Sequence, residues 1–327
     1  MTNIETNGNL DHLTYNEAFE LMREEVDKAL SSSPSLIRKY TEHLKATRGK
    51  FIRAMSLLAC AQKSDNLIHR DAVLFAAAIE IFHLATLVHD DVIDNAELRR
   101  GAVTLQKKFG RKTAVICGDY LFSVALKIAS SVSDRKKYID IELPDYISRI
   151  CLGELNQHLE NGNLDISVYK YLKIISGKTA ALFEASFFAG AILSEDEDRT
   201  RREYMRLGRY IGMIFQLTDD CIDYEETEIT AKKPVQSDFE QGVITLPLIY
   251  TFSSVEGFKQ KAESSKISRE ELTSVVRSAG GISFTRKLAQ KYYDKSIEIL
   301  NRLKLTETKH AMLAEILDRA FYGVKKK

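Results

Sequence analysis

The sequence predicts an all-α fold, and three observations support this prediction. Apolar residues recur at helical spacing along most of the 327 residues. The chain has only 4 prolines and no tryptophan, and the Asn-Gly and Asp-Gly pairs typical of β-hairpins are few. No Pro-, Gly- or Ser-rich linker interrupts the pattern, so we expect one domain over residues 1–327, with a flexible start at residues 1–12. An apolar fraction of 44% is sufficient for a large core.

The apolar periodicity divides the chain into a succession of helices. The predicted segments are 14–30, 35–46, 50–63, 70–94, 112–131, 138–161, 168–191, 197–224, 243–254, 269–279, 284–303 and 308–322. Helix starts are indicated where Ser or Asp precedes the apolar pattern, as at Ser33-Pro34. Two longer stretches, Asn95 to Gly110 and Glu225 to Gln241, are predicted to be non-helical.

Composition limits the possible partners and location. The net charge is +1, from 47 basic and 46 acidic residues, so no overall field would recruit nucleic acid. The 4 cysteines have neither CxxC nor zinc-site spacing, which is typical of reduced cysteines in a cytosolic protein. The first residues do not form a signal peptide. The longest apolar run, Val73 to Val88, contains Glu80 and His83 and is too short to span a bilayer. We therefore expect a cytoplasmic protein.

Two carboxylate clusters end long apolar segments: Asp90-Asp91-Val92-Ile93-Asp94 and Asp219-Asp220-Cys221-Ile222-Asp223. In an α-helix the first and last aspartate of each cluster lie one turn apart on the same face. Carboxylates that face an apolar interior resist burial unless a positive charge joins them. Carboxylate oxygens with room left for water and phosphate suit Mg²⁺. The spacing therefore predicts two metal-binding motifs that could hold a diphosphate between them.

Basic residues follow each acidic cluster on a predicted loop. Arg99, Arg100, Lys107 and Lys108 lie in the first loop. The second loop carries Lys232 and Lys233. Such an arrangement suits a diphosphate bound to metal on one side and to Lys and Arg on the other.

In these residues the chain resembles the long-chain type of the trans-isoprenyl diphosphate synthases, the polyprenyl synthetase family. The matching stretches, in the family's order, are Gly49 to Arg53, Ile81 to Asp94 followed by Arg99-Arg100-Gly101, Gly118 to Phe122, Gly153 to Gln157, Lys178 to Ala180, Phe215 to Asp223, Lys233-Pro234, and Asp238 with Gly242 to Pro247. One acidic cluster is a weak signal, whereas two in this order with the basic motifs between them are strong. The resemblance covers roughly residues 45–250.

The resemblance implies an isoprenoid-synthase-type helical bundle around a central, elongated apolar cavity. It implies a Mg²⁺-dependent condensation, in trans, of isopentenyl diphosphate with an allylic diphosphate such as farnesyl diphosphate. The product would be a long-chain polyprenyl diphosphate for a quinone side chain. Three Mg²⁺ ions per active site are expected with substrate bound. The implied metal-binding residues are Asp90, Asp91, Asp94, Asp219, Asp220 and Asp223.

The resemblance also assigns two diphosphate sites. Arg99, Lys178 and Lys233 would bind the allylic diphosphate, and Thr179 and Gln216 would orient the allylic cation and tail. The isopentenyl diphosphate site would consist of Lys50, Arg53, His83 and Arg100. A histidine on an apolar helix face is usually a core residue, but the position of His83, two turns before Asp90, favours a ligand role.

The chain departs from the family pattern at two positions. Ala54 follows Arg53 where the family usually has proline, which should affect only the entry to the helix. Val243 stands where many members have lysine. A ligand of the allylic diphosphate could therefore be missing, although some long-chain relatives also lack it.

Product length is predicted from the helix that carries the first acidic cluster. Ala85, five residues before Asp90, and Thr86 are small where short-chain relatives place aromatic residues. Small residues would leave the tunnel for the growing chain open, and each further turn adds about 5.4 Å. Ile81, Phe82 or Phe122 would form a floor deeper in the tunnel.

Several alternatives stay open. The chain is expected to form a homodimer, or a heterodimer with a small regulatory subunit, as in heptaprenyl-type synthases of the two-component kind. The product would pass to a membrane. A class I terpene cyclase would not need a second diphosphate site, and a non-catalytic subunit would be expected to lack carboxylates that are present here. A metal-dependent hydrolase would need a general base beside a metal-bound water.

Overall fold

The computed structural model describes residues 11–45, 49–133, 145–194, 197–225, 239, 241–264 and 267–323. The predicted all-α class is confirmed, because the described residues form helices with only four two-residue strands. The chain divides into two compact units. The first comprises Met1–Leu143, Ser186–Tyr204 and Lys304–Leu313, and the second comprises Pro144–Ala185, Met205–Leu303 and Ala314–Lys327.

The first unit is organised around one long apolar helix, α4. Its helices are α1 Tyr15–Ser31, α2 Ser35–Leu44, α3 Ile52–Ala61, α4 Arg70–Ile93, α5 Leu105–Phe109 and α6 Arg111–Ala129. Helix α1 begins with a capping box in which the Thr14 hydroxyl and the Glu17 carboxylate each bind the other residue's backbone N–H. The buried faces of α1, α3, α4 and α6 form one apolar core. Helix α4 is long and apolar enough to cross a membrane, by length and composition alone, and half of its most apolar stretch is buried within the protein.

Two antiparallel strand pairs accompany these helices. Strand β1, His12–Leu13, pairs with β2, Ile68–His69, so the end of the segment predicted to be flexible is held beside the start of α4. Strand β3, Leu98–Arg99, pairs with β4, Ala102–Val103. The connecting residues Arg100 and Gly101 have φ of 54° and 80°. Two consecutive residues with positive φ are typical of the tight hairpin turn that matches the twist of the strands.

The second unit surrounds a separate apolar core. Its helices are α7 Tyr146–Glu160, α8 Val168–Ile175, α11 Leu246–Ser254, α12 Phe258–Glu263, α13 Arg269–Ser278 and α14 Gly281–Arg302. A π-helical turn, Ser176–Ala180, connects α8 directly to α9. Helices α9 Ala181–Ser194, α10 Asp198–Glu225 and α15 Glu307–Tyr322 contribute residues to both units.

The structure corrects several predicted element boundaries. The stretch from Asn95 to Gly110 was expected to be non-helical throughout, but it contains the β3–β4 hairpin and α5, whose first turn is capped by the Thr104 hydroxyl. Helix α12 was not predicted. The predicted helix 168–191 is two α-helices, α8 and α9, joined by the π turn. Helix α11 begins at Leu246 rather than at residue 243, because Thr245 is its N-cap and Pro247 lies in its first turn.

Candidate active site

The first acidic motif occupies the last turn of α4. Asp94 is the C-terminal cap of the helix, and its N–H donates to the Asp90 carbonyl oxygen over 2.8 Å. Asp90 and Asp94 are therefore one turn apart, as predicted, and both are partly exposed. The C-terminal end of a helix carries partial negative charge and disfavours carboxylates. Aspartates at this end of α4 are consistent with a cation bound beside them.

Asp91 has a different environment from its two neighbours. It is only 5% exposed, and Arg99 Nε donates to its Oδ1 over 2.6 Å. Burial raises the pKa of Asp91, and the positive charge of Arg99 opposes that rise. Asp91 therefore fixes Arg99, which lies at the end of strand β3, relative to the end of α4.

Arg53 and His83 meet on the same unit. Arg53, in the first turn of α3, is 9% exposed, and its Nη1 lies 3.1 Å from His83 Nε2. A guanidinium can only donate, so His83 Nε2 accepts and its proton is on Nδ1. Burial, and then the charge of Arg53, hold the pKa of His83 well below its usual value. His83 is therefore neutral at physiological pH and supplies a hydrogen-bond donor rather than a charge.

The other two predicted members of this site lie on loops. Lys50 is exposed in the segment before α3, and Arg100 is exposed at the hairpin turn. The Arg100 guanidinium packs against Gly49, where an added Cβ would be 2.8 Å from Arg100 Nη2. Glycine at position 49 thus allows the backbone at the start of the Gly49 to Arg53 stretch to approach Arg100. The structure brings Arg53 and His83 into contact and places Arg100 beside Gly49, in the segment that precedes α3.

The second acidic motif lies near the end of α10. Asp219 is exposed, whereas Asp220 and Asp223 are 2% and 6% exposed. Asp219 and Asp223 are one turn apart within a continuous helix, as predicted.

Asp220 belongs to a buried chain of hydrogen bonds. The Tyr171 hydroxyl donates to its Oδ2, and Gln216 Nε2 donates to its Oδ1 over 2.8 Å. Gln216 Oε1 in turn accepts from Thr179 Oγ1 over 2.7 Å. The amide NH2 of Gln216 therefore faces Asp220, and its carbonyl oxygen faces Thr179. The predicted residues Thr179 and Gln216 are thereby held in one orientation.

Lys178 is on the π turn between α8 and α9. Its Nζ lies 2.7 Å from Glu154 Oε1 of α7. The two segments approach closely because Gly153 has no side chain: a Cβ there would be 2.3 Å from the Lys178 backbone nitrogen. A π turn adds a residue to a helical turn and is often found at functional sites.

Some predicted residues have other outcomes. Lys233 lies outside the described residues. Val243 is partly buried just before α11. Of the proposed chain-length residues, Ile81 and Ala85 are fully buried in the first core. Thr86 is partly exposed, and Phe82 packs edge-on against Phe122 with ring centroids 5.0 Å apart.

The acidic motifs suit Mg²⁺ that is coordinated by few protein ligands, as is usual in phosphate-binding enzymes. Among the described residues, no three His, Cys, Asp or Glu side chains converge on a single point. Each motif instead offers two carboxylates one turn apart, with at least one of them accessible to solvent. Mg²⁺ typically takes one or two carboxylates and completes its shell with water and substrate phosphate. The residues therefore fit the metal.

Three residues near these sites had no role assigned from sequence. Tyr171, Glu154 and Glu80 contact Asp220, Lys178 and the start of α3, respectively. Helical spacing offers a signal for Tyr171, since it lies two turns before Lys178. Glu80 was visible as a charge within the apolar run. Their partners are too distant in sequence to be found by pattern.

Comparisons of the sequence with known proteins identify its family. A sequence profile of the Polyprenyl synthetase family matches residues 34–279. Heptaprenyl diphosphate synthase component 2 of Bacillus subtilis is 30% identical over 303 residues, covering 91% of this chain and 86% of that protein. Octaprenyl diphosphate synthase of Escherichia coli is 30% identical over 296 residues, covering 87% and 89%.

Solved structures give the same result. Heptaprenyl diphosphate synthase from Staphylococcus aureus superposes with a TM-score of 0.86 at 30% identity, over 96% of this chain and 99% of that one. A polyprenyl synthase from Caulobacter crescentus, complexed with calcium and isoprenyl diphosphate, has a TM-score of 0.82 at 28% identity over 94% of both chains. The chain therefore belongs to the polyprenyl synthetase family and is a prenyltransferase that elongates prenyl chains.

Proposed function

We propose that this protein is a Mg²⁺-dependent synthase that adds isopentenyl diphosphate, in trans, to an allylic diphosphate such as farnesyl diphosphate. Its product would be a long-chain polyprenyl diphosphate for the side chain of a quinone. The observation that carries the proposal is that each acidic motif is accompanied, within its own unit, by the groups that prenyl transfer needs. Arg53, His83 and Arg99 accompany the first motif, and Thr179 and Gln216 accompany the second.

The first motif would hold metal through Asp90 and Asp94, and the second through Asp219, with Asp223 one turn from Asp219 on the same helix. Bound Mg²⁺ supplies Lewis-acid stabilisation and a template for diphosphate oxygens. Asp91 and Asp220 would act on their neighbours, because Asp91 orients Arg99 and Asp220 orients Gln216. We propose three ions per active site with substrate bound.

Ionisation of the allylic substrate would be the first step. The bond between its C1 and the diphosphate oxygen breaks, and both electrons leave with the pyrophosphate. Arg99, Lys178 and Lys233 would stabilise the negative charge that develops on the leaving group. The hydroxyl of Thr179 and the carbonyl dipole of Gln216 would face the allylic cation, since their mutual hydrogen bond fixes both.

Condensation would follow at the second diphosphate site. Lys50, Arg53, His83 and Arg100 would hold isopentenyl diphosphate so that its double bond attacks the allylic C1. A new carbon–carbon bond forms, and a proton is lost to the released pyrophosphate. Holding both reactants replaces an encounter in solution with a reaction within one complex.

The expected partner is a second copy of the chain or a small regulatory subunit. Helix α7 exposes Ile147, Leu152, Leu155 and Leu159, and α6 exposes Val115, Ile116 and Leu126. Exposed apolar faces of this kind are typical of protein interfaces. Two relatives carry the name component 2, which favours a two-component enzyme as the alternative to a homodimer. We propose a cytoplasmic location, with the apolar product passing to a membrane.

The test is incubation of purified protein with Mg²⁺, labelled isopentenyl diphosphate and farnesyl diphosphate, followed by removal of phosphate and separation of products by length. We expect a ladder of polyprenols ending at a long chain, and no incorporation after chelation of the metal. A terpene cyclase would instead convert farnesyl diphosphate to hydrocarbon without isopentenyl diphosphate. Incorporation only after addition of host extract would indicate the two-component form. The tail length of the host quinone should match the longest product.

A further inference from the structure

Glu80 is a carboxylate within the apolar helix α4 that the proposed chemistry does not use. It lies three residues before His83 and is partly buried. Its Oε1 accepts a hydrogen bond from the backbone N–H of Ala54, in α3, over 3.0 Å. The charges of Arg53 and Arg100 both act to keep Glu80 ionised, against the effect of burial on its pKa.

The contact with Ala54 supplies a cap that α3 does not have in its own sequence. The residue before the helix is Phe51, whose side chain has no hydrogen-bond acceptor and whose backbone has φ of 55°. The first turn, Ile52-Arg53-Ala54, contains no acidic residue. Helix starts usually take a side-chain acceptor at this N–H and favour a negative charge there. In this chain both come from a residue 26 positions further along.

The same carboxylate is the counter-charge for a crowded group of cations. Arg53 is 9% exposed and packed on a neutral His83, so its charge is poorly solvated. Burial lowers the pKa of Arg53 to about 10, while the charge of Glu80 raises it. The Arg100 charge lowers the pKa of Arg53 in turn. Loss of an opposite charge near a buried cation is usually destabilising.

We propose that Glu80 is a positioning residue for the isopentenyl diphosphate site: it caps the first turn of α3 and holds the Arg53 guanidinium on His83 in the absence of substrate. The inference rests on the proposed assignment of Arg53, His83 and Arg100 to that site. Glu80 would act on the groups that bind the diphosphate and not on the diphosphate itself.

Charge alone would have the opposite effect. A carboxylate near a diphosphate site repels the ligand, so its removal would strengthen binding if Glu80 acted only through its field. If Glu80 acts by positioning, its removal lets Arg53 leave the buried site and frays the start of α3, and binding weakens. The sign of the change in KM for isopentenyl diphosphate therefore separates the two.

The experiment compares Glu80→Gln and Glu80→Ala with the wild type. Glutamine keeps an acceptor for Ala54 but loses the charge, whereas alanine loses both. We expect KM for isopentenyl diphosphate to rise about tenfold in Glu80→Gln and further in Glu80→Ala, because glutamine loses the charge that strengthens the bond from Ala54 and alanine loses the bond itself. KM for farnesyl diphosphate should stay within about twofold, since its site uses other groups. Calorimetric titration of isopentenyl diphosphate without allylic substrate should show the same loss of affinity.

Asp71→Asn is the matched control. Asp71 is a buried carboxylate on the same helix that accepts from the Ser133 backbone N–H over 3.0 Å. It is nine residues from Glu80, or about 13 Å along the helix. This variant should lose thermal stability with the ratio of the two KM values unchanged.

An unchanged or lower KM for isopentenyl diphosphate in Glu80→Gln would overturn the proposal. An equal rise of KM for isopentenyl diphosphate and KM for farnesyl diphosphate would also overturn it. If Glu80→Ala does not fold, Glu80→Gln alone decides. A wild-type protein that does not bind isopentenyl diphosphate would overturn the site assignment together with this proposal, whereas an active wild type with unaffected variants would overturn the role of Glu80 alone.

Discussion

At the scale of single residues, the aspartates of one motif lie in different environments, although they look equivalent in the sequence. The solvent-accessible aspartates, such as Asp90 in the first motif and Asp219 in the second, are suited to bind a metal. The middle residue of each motif is buried, and its oxygens accept hydrogen bonds from protein groups: Arg99 for Asp91, and Tyr171 and Gln216 for Asp220. Burial is what separates these roles, because a desolvated carboxylate needs donors around it.

Asp220 gives a pH-dependent prediction. Burial raises its pKa from 3.8 to about 7 in the folded protein. The folded state therefore holds a proton that the unfolded state has released, and the cost of the charge accumulates as pH rises between these two values. Asp220→Asn removes that cost. We expect metal-free Asp220→Asn to melt at a higher temperature than the wild type at pH 8.5, with a smaller difference at pH 5.

The measurement is thermal unfolding of metal-free protein at several pH values. Asp294→Asn is the control for the substitution itself, because Asp294 is exposed on α14 and its replacement should change the melting temperature little. A stabilisation by Asp220→Asn that is the same at every pH would contradict the assigned cause.

Ala85 and Thr86 give a prediction about product length. Consecutive helix residues point about 100° apart, and here Ala85 is fully buried in the core while Thr86 is partly exposed. If Ala85 borders the tunnel, Ala85→Phe should shorten the product with little loss of stability. If the core has no room, the same change overpacks it. The free energy of unfolding then falls by about 1–3 kcal/mol, and the melting temperature falls with it.

Product chromatography and thermal unfolding of Ala85→Phe and Thr86→Phe together distinguish these cases. Shorter products from Ala85→Phe would support the predicted role. Shorter products only from Thr86→Phe would move the chain-length position by one residue, and an unchanged distribution in both would contradict the hypothesis.

At the scale of elements, the groups proposed to bind substrate and metal lie where regular structure ends or changes. The first acidic motif ends α4, Arg100 occupies a hairpin turn at φ of 54°, and Lys178 and Thr179 lie on a π turn. Backbone that departs from regular geometry is retained when the surrounding structure holds it in place. Here the packing of α7 holds the π turn in place, and Gly153 allows α7 to approach the backbone of Lys178.

Gly153→Ala should therefore be destabilising although alanine favours helices. The gain in helix propensity is up to about 1 kcal/mol. The added Cβ would lie 2.3 Å from the Lys178 nitrogen and 2.7 Å from the Gly177 carbonyl carbon, both backbone atoms that cannot rotate away. We expect a net loss of about 2 kcal/mol in the free energy of unfolding, and a larger loss of kcat than of affinity for isopentenyl diphosphate.

Denaturant unfolding and steady-state kinetics check this prediction. Cys151→Ala is the control, since Cys151 is exposed on the same helix and the change adds no atoms. A Gly153→Ala protein as stable and active as Cys151→Ala would show that α7 and the π turn can separate without cost.

At the scale of the whole molecule, the exposed apolar stripe of α7 predicts an assembly. Leu152, Leu155 and Leu159 recur at helical spacing, and Leu159 is 70% exposed. A stripe of this kind is costly to leave in water, so we expect the purified protein to be a dimer, or to require a second subunit.

Leu155→Glu combined with Leu159→Glu should convert the dimer to a monomer in light scattering after size-exclusion chromatography. Leu36→Glu is the control, because Leu36 is 88% exposed but isolated on α2, and this change should not alter the mass. A double variant that stays dimeric would place the interface elsewhere, and a monomeric wild type would favour the two-component form.

The sequence by itself determined the helical class, most helix positions and the one-turn spacing of the aspartates, because helical periodicity and i, i+4 geometry are local properties of the chain. Tertiary structure decided which aspartates are buried, that Tyr171 and Gln216 hold Asp220, that Glu154 pairs with Lys178, and that Glu80 caps α3. Apart from the bond between Gln216 and Asp220, which is local to one helix, those contacts join segments that are distant in sequence. Their existence depends on which helix faces pack together, and a sequence pattern does not contain that information.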